Sequence, residues 1–263
     1  MSTIPSWQRW PCAPAHMSLV RGEVHIWGAT LALPPTSVED LAAVLTPAEQ
    51  DHAARFRSAQ ARQHFVAARA ILRLILSRYL GLLPQQLRLR TNPWGKPELE
   101  PSPDSSQSTL TFNLSHSEAL ALYAVTGGQA IGIDLEYQRP LPEAELEQLA
   151  ARYFAPAEYR TLLSLPQEKR LPAFFHCWTR KEAYVKARGQ GLSLPLDAFE
   201  VSLTPDAPAR LLASHEEPDA PQRWSLLAIE PDPAYSAALA VEGHIEHVTY
   251  FRWNDCDLPS LAT

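Results

Sequence analysis

Helix-forming and then strand-forming sequence follow one another twice along these 263 residues, once in each half, with no tandem repeat of fixed short period. Whatever the chain folds into has to accommodate that order in both halves. The 24 prolines break it into short elements and turns. In the first half, the strand-like "EVHIWGA" precedes "LTPAEQ". There Thr46 as N-cap, Pro47 at the first helical position and Glu49 three residues on form a capping box. The helical pattern runs to about Leu80 with a break near Ser58, and Gly81 stops it. Phe65, Ala68, Leu72, Ile75 and Tyr79 recur at three- and four-residue spacing and mark a core face, with Arg62, Arg69, Arg73 and Arg78 on other faces. "TNPWGKPELEPSPDSSQS" is a loop with a Pro/Ser end expected to be mobile. "TLTFNLSHS" and "ALALYAVT" read as strands, and "GGQ" turns the chain into "AIGIDLE" as an antiparallel hairpin. In the second half, helices are expected at about 142–153, 156–165 and 168–188. The strand-like "AFEVSL", "RWSLLAIE", "YSAALAV" and "HVTYFRW" follow.

Composition narrows the class. With 46% hydrophobic and 20% charged residues the chain can bury a sizeable core, and no apolar run approaches the roughly 20 residues of a bilayer span. The first 17 residues lack the apolar stretch of a secretion signal. They are expected to be a disordered leader, with Met17 as an alternative start. Cys12, Cys177 and Cys256 fit neither a disulfide framework nor a zinc spacing, which favours a reducing, cytoplasmic setting. The nine histidines form no zinc-hydrolase cluster. Net charge is −6, divided as +2 over residues 1–130 and −8 over 131–263, yet Thr46–Arg90 carries eight arginines against Glu49 and Asp51. An arginine-rich segment on an acidic protein points to a local anion site, not to nucleic-acid affinity, although any one of these arginines taken singly reads as part of a solvated helix face.

Three short motifs carry chemistry. "IGIDLE" ends an apolar run on Asp134 and Glu136, which point to one face of an extended strand. Two carboxylates held together are unfavourable unless a cation lies between them. "WTRKEAYVKARGQGLSLP" sets Glu182 and Lys186 four apart on one helix face, where the plainer reading is a surface ion pair. Phe174, Phe175, Trp178 and Tyr184 make that helix too apolar for a solvated one, and the glycine-rich exit lets backbone approach a ligand. Glu182 could join Asp134 and Glu136 in an all-oxygen site, which suits Mg²⁺ bridged to substrate phosphates. The positive partners for those phosphates are the arginine-rich helix, Lys96 on a loop stiffened by Gly95 and Pro97, His116 and Lys186.

"FNLSHS", "IGIDLE" and "WTRKEAYVKARGQGLSLPLDAFEV", with "WGKP" upstream, resemble the 4′-phosphopantetheinyl transferases of the surfactin-synthetase-activating type, in order and spacing from about Leu45 to Tyr250. The resemblance implies an α+β fold of two similar halves in pseudo-twofold arrangement, residues 18–130 and 131–263, with the active site between them. It implies coenzyme A as donor, Mg²⁺ as cofactor, and an apo acyl or peptidyl carrier protein whose serine receives the phosphopantetheine, in polyketide, nonribosomal peptide or fatty acid biosynthesis. It implies a monomer without nucleic-acid or membrane partners.

By position Asp134, Glu136 and Glu182 match the metal ligands and Lys186 the active-site lysine. Glu158 in "FAPAEY" matches a carboxylate near the metal. Gly95, Lys96, Pro97, Ser115 and His116 match the coenzyme A loops. The chain departs from the family at Glu49, His52 and His64, where arginine or lysine often binds the 3′-phosphate, and Arg55, Arg62 or Arg69 are the substitutes expected. Glu182 is the candidate base for the carrier serine and Lys186 the partner of the leaving phosphate. A Mg²⁺-dependent hydrolase of nucleotide pyrophosphates would use the same parts, whereas a silent carrier-binding module would need a broken carboxylate set.

Overall fold

In a computed structural model the described residues are 6–101 and 110–254. The first five residues of the expected leader, the Pro/Ser end of the loop at 102–109, and Cys256 lie outside them. The first half runs β1 (Glu23–Thr30), α1 (Pro35–Ala42), α2 (Pro47–Ala54), α3 (Ala59–Leu80), β2 (Leu89–Thr91), β3 (Pro97–Leu99), β4 (Thr111–Ser117) and β5 (Leu120–Thr126). The second runs β6 (Ile131–Tyr137), α4 (Glu143–Tyr153), α5 (Pro156–Ser164), α6 (Gln167–Arg188), β7 (Phe199–Val201), β8 (Leu211–Ser214), α7 (Ala220–Arg223), β9 (Trp224–Ile229) and β10 (Tyr235–Glu242), and β11 (His247–Arg252) is the last element among the described residues. Apart from α7, the halves correspond element by element, and so do their sheets. β5 lies between β1 and β4, and β10 lies between β6 and β9, antiparallel throughout. β11 then adds parallel to the outer edge of β1.

The local sequence explains the helices. Thr46 and Glu49 form the expected capping box, Ser58 caps α3 by accepting from the Ala61 amide, and Gly81 ends α3 in the left-handed region at φ 64°. Gly189 ends α6 in the same way at φ 66°. Each long helix packs on its own sheet. One core joins α3 to Trp27, Phe112 and Tyr123, a second joins α6 to Phe199, Trp224 and Ala238, and a third lies between the two sheets around Ile26, Leu122, Ile133 and Leu239.

Three expectations change. "GGQ" does not close a hairpin, because both edges of β5 are taken by β1 and β4, and the chain leaves to start a second sheet at β6. Arg73 does not sit on a solvated face. It is buried and hydrogen-bonded to Glu49 and to the carbonyls of Pro84 and Leu87. Residues 6–17 are not a disordered leader. Trp7 is buried in the core between the sheets, its amide donates to the Pro231 carbonyl, and Met17 donates to the Arg78 carbonyl. Sequence reading missed this because the segment lacks periodicity, and its two tryptophans pack on Gly28, where a side chain would meet both rings.

Candidate active site

Three elements converge where the halves meet. β4 supplies Ser115 and His116, β6 supplies Asp134 and Glu136, and α6 supplies Glu182 and Lys186. Gly132 allows it. A Cβ there would strike the Ala183 carbonyl and the Ala187 amide, so only glycine lets α6 lie this close to β6. The Lys186 ammonium donates to Asp134 Oδ1 at 2.6 Å and to Ser115 Oγ at 2.9 Å, and Ser115 Oγ donates to Asp134 Oδ1 at 3.1 Å. Lys186 therefore pairs with the β6 carboxylate and not with Glu182 one turn away. Asp134 Oδ2 is buried without a hydrogen-bond partner. Glu136 accepts from Ser117 Oγ at 3.4 Å.

Electrostatics tie the three carboxylates together. Burial and then the charge of Asp134 push the Glu182 carboxyl above the usual range, and the same two causes push Glu136 up, with Glu182 adding to the effect. The set fits a hard divalent cation. It is all oxygen, the charge of Asp134 raises the cost of ionising both Glu136 and Glu182, and a buried Asp134 oxygen has no protein donor. Among the described residues no three His, Cys, Asp or Glu side chains close on one point.

A cleft of about 790 Å³ opens beside this cluster, walled by Phe56, His64, Arg69, Pro97, Ser115, His116 and Lys186 among others. Burial, then His64 and Lys186, lower the pKa of His116. His64, one of the departures from the family pattern, stands in the cleft wall. Of the three arginines expected at an anion, only Arg69 is in that wall, and its Nε donates to Glu49 at 2.5 Å. Arg55 is exposed at the C-terminus of α2, and Arg62 lines a separate groove between α1, α2 and α3.

The "WGKP" loop is set by Asn92, a residue that sequence reading did not single out. Its side-chain oxygen accepts from the amides of Trp94 and Lys96, and its amide group donates to the Gly189 carbonyl at the end of α6. Gly95, at φ 93°, makes the turn possible. The Lys96 ammonium faces away from the cleft and donates to the Ile131 carbonyl at 2.8 Å. Burial lowers its pKa to about 8. Glu158 is not brought to the other carboxylates either. Both its oxygens are engaged by the Ala155 and Val201 amides, and Lys181 lies 2.7 Å away, the two side chains being buried.

Comparison with known proteins agrees with the resemblance. The 4′-phosphopantetheinyl transferase superfamily matches residues 130–240, and the N-terminal region of 4′-phosphopantetheinyl transferases matches 34–127. The chain is 45% identical over 234 residues to the 4′-phosphopantetheinyl transferase HetI of Nostoc sp. (strain PCC 7120), covering 89% of this chain and 94% of that protein. It is 32% identical to the 4′-phosphopantetheinyl transferase Sfp of Bacillus subtilis (strain 168), covering 74% and 81%, and 33% identical to psf-1 of Bacillus pumilus, covering 81% and 87%. No helix among the described residues is long and apolar enough to cross a membrane. With this identity sustained over most of its length, the chain belongs to the 4′-phosphopantetheinyl transferase family of enzymes.

Proposed function

We propose that this transferase moves 4′-phosphopantetheine from coenzyme A to the serine of an apo acyl or peptidyl carrier protein, at the cluster of Asp134, Glu136, Glu182 and Lys186. The observation that carries this reading is the buried, unpartnered Asp134 oxygen beside a lysine-bound one, at the head of a cleft walled by His64, Arg69 and His116. Asp134, Glu136 and Glu182 would hold Mg²⁺, which when bound neutralises charge on the coenzyme A pyrophosphate.

The remaining steps fall to the protein's own groups. His116 and Lys186 present positive or hydrogen-bonding groups to the phosphates in the cleft. Glu182, directly or through a water, takes the proton of the carrier serine. The serine oxygen bonds to the phosphorus of the pantetheine phosphate. The bond between the two phosphates breaks, and adenosine 3′,5′-bisphosphate leaves with the electron pair, its new charge facing the Lys186 ammonium. The test is intact mass measurement of an apo carrier incubated with the protein, coenzyme A and Mg²⁺. A carrier heavier by one phosphopantetheine is expected. Coenzyme A cleavage with the carrier unmodified would overturn the reading in favour of a hydrolase.

A further inference from the structure

β6 is an edge strand of its sheet, and the strand facing it across the seam, β4, is an edge strand of the other sheet. No main-chain ladder joins them. Instead the alternation of "TFNLSHS" sends Phe112 and Leu114 into the core of the first half and turns Asn113, Ser115 and Ser117 toward β6. Three of the outward main-chain groups of β6 are taken by side chains of the first half. Lys96 Nζ donates to the Ile131 carbonyl at 2.8 Å, the Ile133 amide donates to Asn113 Oδ1 at 2.8 Å, and the Tyr137 amide donates to Ser117 Oγ at 3.0 Å. An unpaired strand edge would otherwise leave buried amides and carbonyls without partners.

Asn113 is the central one of these contacts. It is buried, and the amide it accepts from belongs to the residue next to Asp134. Ile133 and Asp134 point to opposite faces, so the height and twist of the Ile133 peptide set where the Asp134 carboxylate stands. We propose that Asn113, flanked by Lys96 and Ser117, is a positioning residue that fixes β6, and with it Asp134 and Glu136, against the half that carries Ser115 and His116. Asn113 touches no reacting group itself. Its effect on the reaction runs through Ile133, and that part of the proposal rests on the transferase reading.

The protein supplies its own conservative control. Ser117, on the same face of the same strand, reaches a β6 amide with a hydroxyl, so serine at position 113 keeps an acceptor within reach of Ile133, and leucine removes it at similar volume. Amide hydrogen exchange on the full chain without metal tests the seam directly. Asn113→Leu should exchange the Ile133 amide about tenfold faster while Gly132 and Asp134, whose amides face β10, keep their protection, and Asn113→Ser should retain most of the Ile133 protection.

In the transfer assay Asn113→Leu should lower kcat by about tenfold with the KM for coenzyme A changed less than about twofold, and Asn113→Ser should restore most of the rate. An unaltered Ile133 exchange, a loss of protection spread evenly over β6 and β10, or an altered exchange with wild-type kcat would each overturn the proposal. If the leucine variant does not fold, the serine variant decides: Ile133 protection lost in a folded protein with undiminished kcat refutes it, and protection kept together with kcat supports it. If the wild-type chain proved not to transfer phosphopantetheine at all, the exchange result would still report on the seam, so the two failures are distinguishable.

Discussion

Lys181 and Glu158 form a buried ion pair at 2.7 Å in the second half, and Arg73 and Glu49 form its counterpart at 2.7 Å in the first. The correspondence is close. Each glutamate is the third residue of a helix that begins Pro-Ala-Glu and accepts from the amide of its own N-cap residue. Each cation sits equally far along a 22-residue helix and also donates to carbonyls of the chain that follows, those of Pro84 and Leu87 in one half and of Leu196 and Phe199 in the other. The two halves thus share a device that ties a short helix, a long helix and the following segment together.

Glu158 accordingly contributes to folding. Burial holds its carboxyl above the usual range despite Lys181 and the two amides, and Lys181→Met should raise it further. A carboxyl whose folded pKa exceeds its unfolded one loses stability as pH rises above the unfolded value, so the defect of Lys181→Met should grow between pH 5 and 8 toward about 3–5 kcal/mol. Denaturant unfolding across pH measures it. A defect independent of pH would show that the carboxylate is not left charged.

Glu49 titrates the opposite way. Hydrogen bonds and charge from Arg73 and Arg69 outweigh its burial and lower its carboxyl from 4.5 to about 2. Its contribution of about 2–3 kcal/mol is complete above the unfolded pKa and fades as pH falls toward 2. Glu49→Gln should therefore be clearly less stable than wild type at pH 6 and nearly equal to it near pH 2, by denaturant melts.

The metal-free carboxylate cluster should oppose folding as pH rises above the ordinary glutamate range, because Glu136 and Glu182 both have raised folded pKa values. Stabilisation by Mg²⁺ with coenzyme A should accordingly increase from pH 5 to 7 and be lost in Asp134→Asn. Asp134→Asn, Glu136→Ala and Glu182→Gln should each lower transfer by about a hundredfold or more. A melting shift on adding Mg²⁺ that is unchanged in Asp134→Asn would remove that residue from the site.

Lys186 separates two readings of one helix face. A surface pair with Glu182 would cost a few tenths of a kcal/mol when broken. Its observed partner is Asp134, which is 3% exposed, so Lys186→Met should both slow transfer and lower stability by about 1–3 kcal/mol in the absence of Mg²⁺. Wild-type rate in that variant would return Lys186 to the surface.

Much of this was legible in the sequence, for identifiable reasons. The Thr46 and Glu49 box, Gly81 and the periodicity of α3 are local signals, and they place α2 and α3 within a residue or two. Asp134, Lys186, Ser115 and His116 carry motif spacing and do meet. Placement across long separations was not legible. Nothing local tells whether Glu158 faces a metal or Lys181, and nothing in "WGKP" shows that Lys96 turns inward to Ile131. Nor does anything local show that Leu162, on the helix that bears Glu158, is fully buried in the second core. The alternation of Asn113, Ser115 and Ser117 was visible, but its meaning depends on knowing that β6 is the strand opposite.

Trp7 offers a test of the leader. It is 8% exposed between the sheets, and Trp7→Ala should destabilise the protein by about 3 kcal/mol, read as a lower melting temperature. An unchanged melting temperature would mean that the segment only rests on the surface.

The placement of β11 has a bearing on how the chain is made. β11 lies parallel to β1, and Arg252 donates to the Gln8 carbonyl, so the sheet begun by β1 is finished only by residues that follow the second half. On the ribosome the first half therefore emerges with an open sheet edge and cannot close it until the second half has been made. The two halves are similar in architecture, but they are not independent products of synthesis.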